Sequence, residues 1–310
     1  MRAGRQLRDH AARERFAWGL VLGGLANVAV VLLQAAGLEG YLRLVGLSSS
    51  GSQFHHFVGQ TVRIPGLHGQ HNASSTVVSL MVPAGLYLYF RGRCSLWLLL
   101  GSLMGFLVVL HLTSTRGPLV AAVLTVGYAF LAAREIGRGV AVAALLVMVV
   151  VPLVLVYGPP GGWSRWRDAA AITANAEERL QSNAESLAIA VEHPLGLGVT
   201  RGKEVLYDAS GLPATHNAFL QAAVYLGLPL GLAVLITVVV VAVRGLGGRD
   251  GPGLLAGMIA VHCAGVFFFE EHLNNPTFVI LTAWLVTVAV SRTTAAERAA
   301  PAASESPAAS

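Results

Sequence analysis

Apolar runs of about 18 residues or more recur along this chain, which is the length needed to cross a bilayer as a helix. In lipid each such run must satisfy its own backbone hydrogen bonds, so the repetition restricts the fold to an all-α, polytopic transmembrane helical bundle. The composition agrees: 55% of residues are hydrophobic and 12% are charged. The runs define about eight candidate spans: Phe16–Leu38, Ala73–Phe90, Ser95–Thr113, Pro118–Ala133, Val140–Tyr157, Asn217–Val243, Pro252–Phe269 and Thr277–Val290.

Basic residues set the expected orientation. Arg2, Arg5, Arg8, Arg13 and Arg15 precede the first span, and Arg91 and Arg93, Arg134 and Arg138, and Arg244 and Arg249 lie in later short connections. Arg292 and Arg298 follow the last span. With an even number of spans all these clusters share one face, which places both termini in the cytoplasm. The net charge of +5 is therefore explained by topology, without nucleic acid as a partner. The first span is too long for a cleaved signal peptide and lacks a small-residue cleavage site. The expected organisation is a basic N-terminus (1–15), a single membrane domain (16–291) with outer loops 39–72 and 158–215, and a disordered tail rich in Ala, Pro and Ser (292–310). Glycine pairs Gly19/Gly23, Gly101/Gly105, Gly227/Gly231 and Gly253/Gly257 have the small-xxx-small spacing of close helix contacts.

The segment Thr215-His216-Asn217-Ala218-Phe219-Leu220-Gln221 stands where the second outer loop meets an apolar run. An imidazole titrates near neutrality, so His216 is a candidate general base where a water-soluble group meets a lipid-anchored one. The alternative is a polar cap on a helix end. Outer-face arginines add to the pattern: Arg63 before the second span, Arg116 in the tight turn Ser114-Thr115-Arg116-Gly117-Pro118, Arg179, and Arg201 with Lys203. Guanidinium binds phosphate oxygens bidentately and keeps its charge, so such a set suits a pyrophosphate head group. Contact with anionic lipid or ordinary solvation is the other reading, and it is weakest for Arg116 because of its tight intermembrane turn. In the second loop, Ser182-Asn183-Ala184-Glu185 has the pattern of a capping box. It predicts a short amphipathic helix that starts just after Arg179 and stops before Pro194.

These blocks resemble, in order, the O-antigen ligase and O-antigen polymerase superfamily. Arg63, Gly66 and Asn72-Ala73 form the first block, and Ser114-Thr115-Arg116-Gly117 the second. Arg179 with His193-Pro194-Leu195-Gly196-Leu197-Gly198 forms the third. His216-Asn217 with Leu226-Gly227-Leu228-Pro229-Leu230-Gly231 forms the fourth. The resemblance implies a glycosyltransferase of the cytoplasmic (inner) membrane, lacking some of that family's N-terminal spans. It would move a glycan from an undecaprenyl-pyrophosphate carrier to a glycan, lipid-linked or protein acceptor on the outer side. Neither cofactor nor metal is implied. His216 and Arg116 take catalytic positions; Arg63, Arg179, Asn217 and Arg201 take substrate-binding ones. Ligase and polymerase are both open. A non-enzymatic transporter or flippase of an anionic lipid-linked substrate remains as an alternative, as does an inactive family member. Spans two to five read as nearly clean of polar groups, which favours chemistry at the interface over transport.

Overall fold

The computed structural model describes residues 10–47, 64, 66–67, 71–113, 115–132, 169–211, 215–246, 252–269 and 282–285. The candidate span 140–157, Arg63 and the tail after 291 lie outside these residues. Among the described residues the chain is helical, without strands. The helices are α1 (His10–Ala35), α2 (Glu39–Leu44), α3 (His71–Ser79), α4 (Met81–Phe90), α5 (Leu96–Thr113) and α6 (Gly117–Ala132). They continue with α7 (Ala169–Glu192), α8 (Val199–Ser210), α9 (Ala218–Leu226), α10 (Leu228–Leu246) and α11 (Pro252–Phe269). Among the described residues, four stretches are long and apolar enough to cross a membrane: Ala11–Ala35, Asn72–Phe90, Leu96–Thr113 and Leu228–Leu246. Gly117–Ala132 and Gly253–Phe268 are shorter apolar helices beside them. The molecule is a helical membrane bundle.

α4 is the most enclosed element, with Met81 through Leu88 all buried. α1 and α5 pack on it from one side and α6 and α11 from the other. α1 and α10 keep exposed leucines, isoleucine and valines along one side. That is the pattern of helices at the lipid boundary, where van der Waals fit holds helices together in place of water exclusion. The break between α3 and α4 at Leu80 has a local cause. Pro83 has no N–H, and its ring crowds the carbonyl four residues earlier, that of Ser79.

The two ends of the bundle are distinguishable. At one end, Arg93 in the α4–α5 connection pairs with Glu14 in the first turns of α1 at 3.0 Å, and Phe16 stacks on Trp284 with ring centroids 5.0 Å apart. The start of α1 thus meets the Arg91–Arg93 connection on one side. Arg116 lies at the opposite end, between α5 and α6. α6 and α11 run antiparallel: Tyr128 lies against Gly257, and Ala121 against Gly265. The Tyr128 hydroxyl donates to the Ala242 carbonyl of α10 at 2.7 Å and fills space that a side chain at Gly245 or Gly257 would take.

Several expectations change. The predicted span Asn217–Val243 is two helices, broken at Gly227, whose φ of 98° and ψ of 155° no helix contains. α9 folds back on α10: a side chain at Gly231 would come within 2.9 Å of the Ala223 Cβ and 3.0 Å of the Phe219 carbonyl. Only α10 is long enough to cross. The loop helix α7 begins by Ala169, so Ser182 is an interior residue whose carbonyl accepts from the Ser186 hydroxyl at 2.6 Å. Arg179 therefore sits inside the helix and not ahead of it. α2 and α8 were not foreseen. α1 reaches back to His10, six residues before the expected start of the first span. Of the proposed glycine contacts, Gly257, Gly227 and Gly231 are close-packed, whereas Gly19, Gly23 and Gly101 face open space.

Candidate functional site

The Arg116 turn is short because both flanks are tied. At the end of α5, the Thr113 hydroxyl donates to the Val109 carbonyl at 2.7 Å and lies 3.0 Å from the Thr115 hydroxyl; both threonines are buried. The Arg116 carbonyl accepts from Leu119 N–H at 3.0 Å and Val120 N–H at 3.4 Å, opening α6. Pro118 in that first turn has no N–H to leave unsatisfied. Arg116 is half-buried and stands where the α6 macrodipole is positive, so the turn favours an anion.

The segment before α3 is drawn to the same place. Ile64 N–H donates to the Leu112 carbonyl at 3.3 Å. Two buried amides of α1 hold the next turn. Gln34 Oε1 accepts from Gly66 N–H at 2.9 Å, and its Nε2 donates to the Gly66 carbonyl at 3.4 Å. Asn27 Oδ1 accepts from Leu67 N–H at 3.2 Å, and its Nδ2 donates to the Ser74 carbonyl at 3.2 Å. Gly66 has φ +66°, and a side chain there would collide with Ser74 and Asn27. Asn27 and Gln34 were missed. Their seven-residue spacing puts both on one face of an apolar helix, which was the available signal. Arg63 itself lies outside the described residues.

His216 is held from both sides. The Thr215 hydroxyl accepts from Asn217 N–H at 3.1 Å and donates to the Asn217 carbonyl at 2.6 Å. Asn217 is the N-cap of α9: its Oδ1 accepts from Phe219 N–H at 2.9 Å and Leu220 N–H at 3.1 Å. Thr215 and Asn217 are buried, and His216 between them is half-buried. The cap expected as the plain alternative is thus real, and Asn217 forms it while His216 stands one residue ahead.

The fold-back at Gly227 sets the depth of this end. α9 has its first residues, Ala218 and Phe219, in the main core. Ala223, Val224 and Tyr225 belong to a second core with Ile189 and Ala190 of α7 and Leu206 of α8. α9 therefore points its N-terminus into the bundle. Phe219 meets Phe267 and Phe268 edge-on, with centroids 5.5 and 5.4 Å apart. Those rings lie two and three residues beyond Gly265, which crosses α6 at Ala121, and Arg116 lies five residues before Ala121. At 1.5 Å per residue, the His216–Asn217 end stands within about one helical turn of the depth of Arg116.

The third block docks onto the fourth. Leu197 N–H donates to the Val224 carbonyl, Gly198 N–H to that of Tyr225, and Leu228 N–H to that of Pro194, each at 2.9 Å. Arg179 is half-buried on α7. Arg201 projects from α8 with its side chain 66% exposed and pairs with Glu204 at 3.1 Å, a surface contact worth little.

One polar group lies away from this end. His262 of α11 is fully buried, with Nε2 2.6 Å from Ser79 Oγ of α3 and Nδ1 3.0 Å from Thr125 Oγ1 of α6. His262 lies in the span Pro252–Phe269, outside the spans two to five that were read as nearly clean. A histidine inside an apolar run was the overlooked signal. Among the described residues no group of three or more His, Cys, Asp or Glu could hold a metal ion.

No curated protein and no solved structure matches the chain. Residues 100–236 match the family model described as O-antigen ligase. That stretch contains the Arg116 turn, Arg179, Arg201, the docked third and fourth blocks, His216 and Asn217, and it excludes the Ile64–Leu67 turn. The segment from residue 100 to residue 236 is an O-antigen ligase domain, which supports the resemblance to the O-antigen ligase and polymerase superfamily.

Proposed function

We propose that this integral membrane protein transfers a glycan from an undecaprenyl-pyrophosphate carrier to an acceptor hydroxyl at the outer face of the cytoplasmic membrane. The Arg116 end of the bundle is that outer face. The observation supporting the reading is the common depth of Arg116 and the His216–Asn217 end of α9, which the fold-back at Gly227 produces. His216 takes the proton of the acceptor hydroxyl as its oxygen attacks the anomeric carbon. The new C–O bond forms as the bond to the pyrophosphate breaks, and the electron pair leaves on the lipid pyrophosphate. Arg116, at the positive end of α6, stabilises that growing charge. Arg63, Arg179 and Arg201 are assigned to the rest of the anionic donor. Arg201 can exchange its weak surface pair with Glu204 for a phosphate. A single displacement inverts the anomeric carbon.

The test is transfer from purified lipid-pyrophosphate glycan to an acceptor in proteoliposomes, with donor binding followed separately. His216→Ala should fold, bind donor, and transfer at least about a hundredfold more slowly. A normal rate would move the base elsewhere. Loss of donor binding would make His216 a binding residue.

The polar group around His262 favours a second reading, transport of the anionic lipid-linked substrate, because polar side chains inside a bundle mark pathways. Movement of a fluorescent lipid pyrophosphate between leaflets without glycan transfer would select it.

A further inference from the structure

The Ser79–His262–Thr125 group has no part in the chemistry assigned above, yet it touches the helices that carry it. Thr125 lies on α6, whose first turn holds Arg116. His262 lies five residues before Phe267, which with Phe268 seats Phe219 and so the His216–Asn217 end of α9. Ser79 ends α3 at the break before Pro83. The bond directions are constrained. The Thr125 hydroxyl donates to the Ala121 carbonyl at 2.7 Å, so its oxygen accepts from His262 Nδ1–H, which also faces that carbonyl. In a neutral imidazole Nε2 is then the acceptor. Ser79 Oγ lies 2.6 Å from both Nε2 and the Thr76 carbonyl, and its single proton goes to one of them at a time. All of these side chains are fully buried. Apolar contacts set the axial register of two helices through shape alone, whereas a bond between ring and hydroxyl adds a direction and a fixed length. The closeness of α6 and α11 at Ala121 and Gly265 gives a change of register a direct effect on the Phe267–Phe219 contact.

We infer that His262 is a positioning residue: through Thr125 it fixes the axial register of α6 against α11, and thereby the placement of Arg116 relative to His216. The inference rests on the transfer function proposed above.

The experiment uses the full chain in proteoliposomes with His262→Leu, His262→Asn and His262→Gln. An asparagine amide reaches the place of Nδ1 and keeps the bond to Thr125. A glutamine amide reaches the place of Nε2 and keeps the bond to Ser79. His262→Leu should leave the donor KM within about threefold and lower kcat per folded molecule at least about tenfold, the scale of a small misplacement of catalytic groups. His262→Asn should recover most of kcat, and His262→Gln should not. An unchanged kcat in His262→Leu, or a loss explained wholly by less folded protein, overturns the inference. So does equal recovery by Asn and Gln, and that comparison decides the matter if the leucine variant does not fold. If wild type transfers nothing, the proposed function fails separately. Spin labels at Val120 on α6 and Leu226 at the end of α9, with Cys94 and Cys263 replaced by alanine, then measure the placement of α9 relative to α6 that the register controls. Their distance distribution should broaden in His262→Leu and return in His262→Asn; an unchanged distribution overturns the inference.

Discussion

Gly196 and Gly227 cross backbone against backbone. A Cβ built on Gly196 would lie 2.5 Å from the Gly227 nitrogen, and one on Gly227 would lie 2.8 Å from the Leu195 carbonyl carbon. Both have positive φ, +84° and +98°. The crossing joins the loop after α7 to the bend between α9 and α10, and so couples the loop helices to the helix that holds His216. Gly196→Ala or Gly227→Ala should therefore cost about 2 kcal/mol or more, from positive-φ strain plus backbone collision. Gly198→Ala has the strain alone, with φ +75°, ψ 167° and nothing within 4 Å, and should cost less than either. Thermal unfolding of the purified variants measures the difference; equal costs at the three positions would show that the crossing is not tight.

Asn217 can be a cap, a substrate ligand, or both, and two substitutions separate the roles. Aspartate caps a helix as well as asparagine does, whereas alanine loses about 1 kcal/mol. If Asn217 serves only as the cap, Asn217→Asp should keep the transfer rate and Asn217→Ala should lower stability. If its amide N–H touches the donor, Asn217→Asp should lose donor affinity through repulsion of the pyrophosphate while melting normally.

At Arg116 the expectation is a loss that charge does not rescue. Arg116→Lys keeps the positive end of α6 but removes the planar fork. Transfer should fall at least about tenfold with expression unchanged, the scale of losing one of two charge-assisted bonds. Full activity in the lysine variant would reduce Arg116 to a generic cation.

Cys94 offers a test of sidedness. It is half-buried beside Arg93, its Sγ 3.7 Å from the Gly85 carbonyl, and burial pushes its thiol above the ordinary value. The reactive thiolate is thus scarcer than usual at neutral pH, and alkylation should accelerate as pH rises through that higher value. A membrane-impermeant maleimide should miss Cys94 in intact cells at every pH and reach it in inverted vesicles at high pH. In a chain with Cys94 and Cys263 replaced by alanine, a cysteine at Lys203 should label from outside. Labelling of Cys94 in intact cells would reverse the proposed orientation.

Apolar run length was enough to read the bundle. Lipid leaves the backbone no partner but itself, and that constraint is written in composition. The Arg116 turn was legible for the same reason, since a charge and a proline between two apolar runs can only be a tight connection. The Gly196–Gly227 crossing was not legible. Leu226-Gly227-Leu228-Pro229 reads as the interior of one long run, and hydropathy is blind to φ. The break exists because three backbone bonds between residues 194–198 and 224–228, with the second core, hold the chain bent at Gly227. Likewise Asn27, Gln34 and His262 were passed over in the sequence. Their meaning lies in which carbonyl, amide or hydroxyl meets them from a helix distant in sequence. The sequence by itself determined that the chain folds as a bundle of apolar helices and where the Arg116 turn falls. The tertiary structure alone decided the depth at which His216 stands, because that depends on α9 folding back.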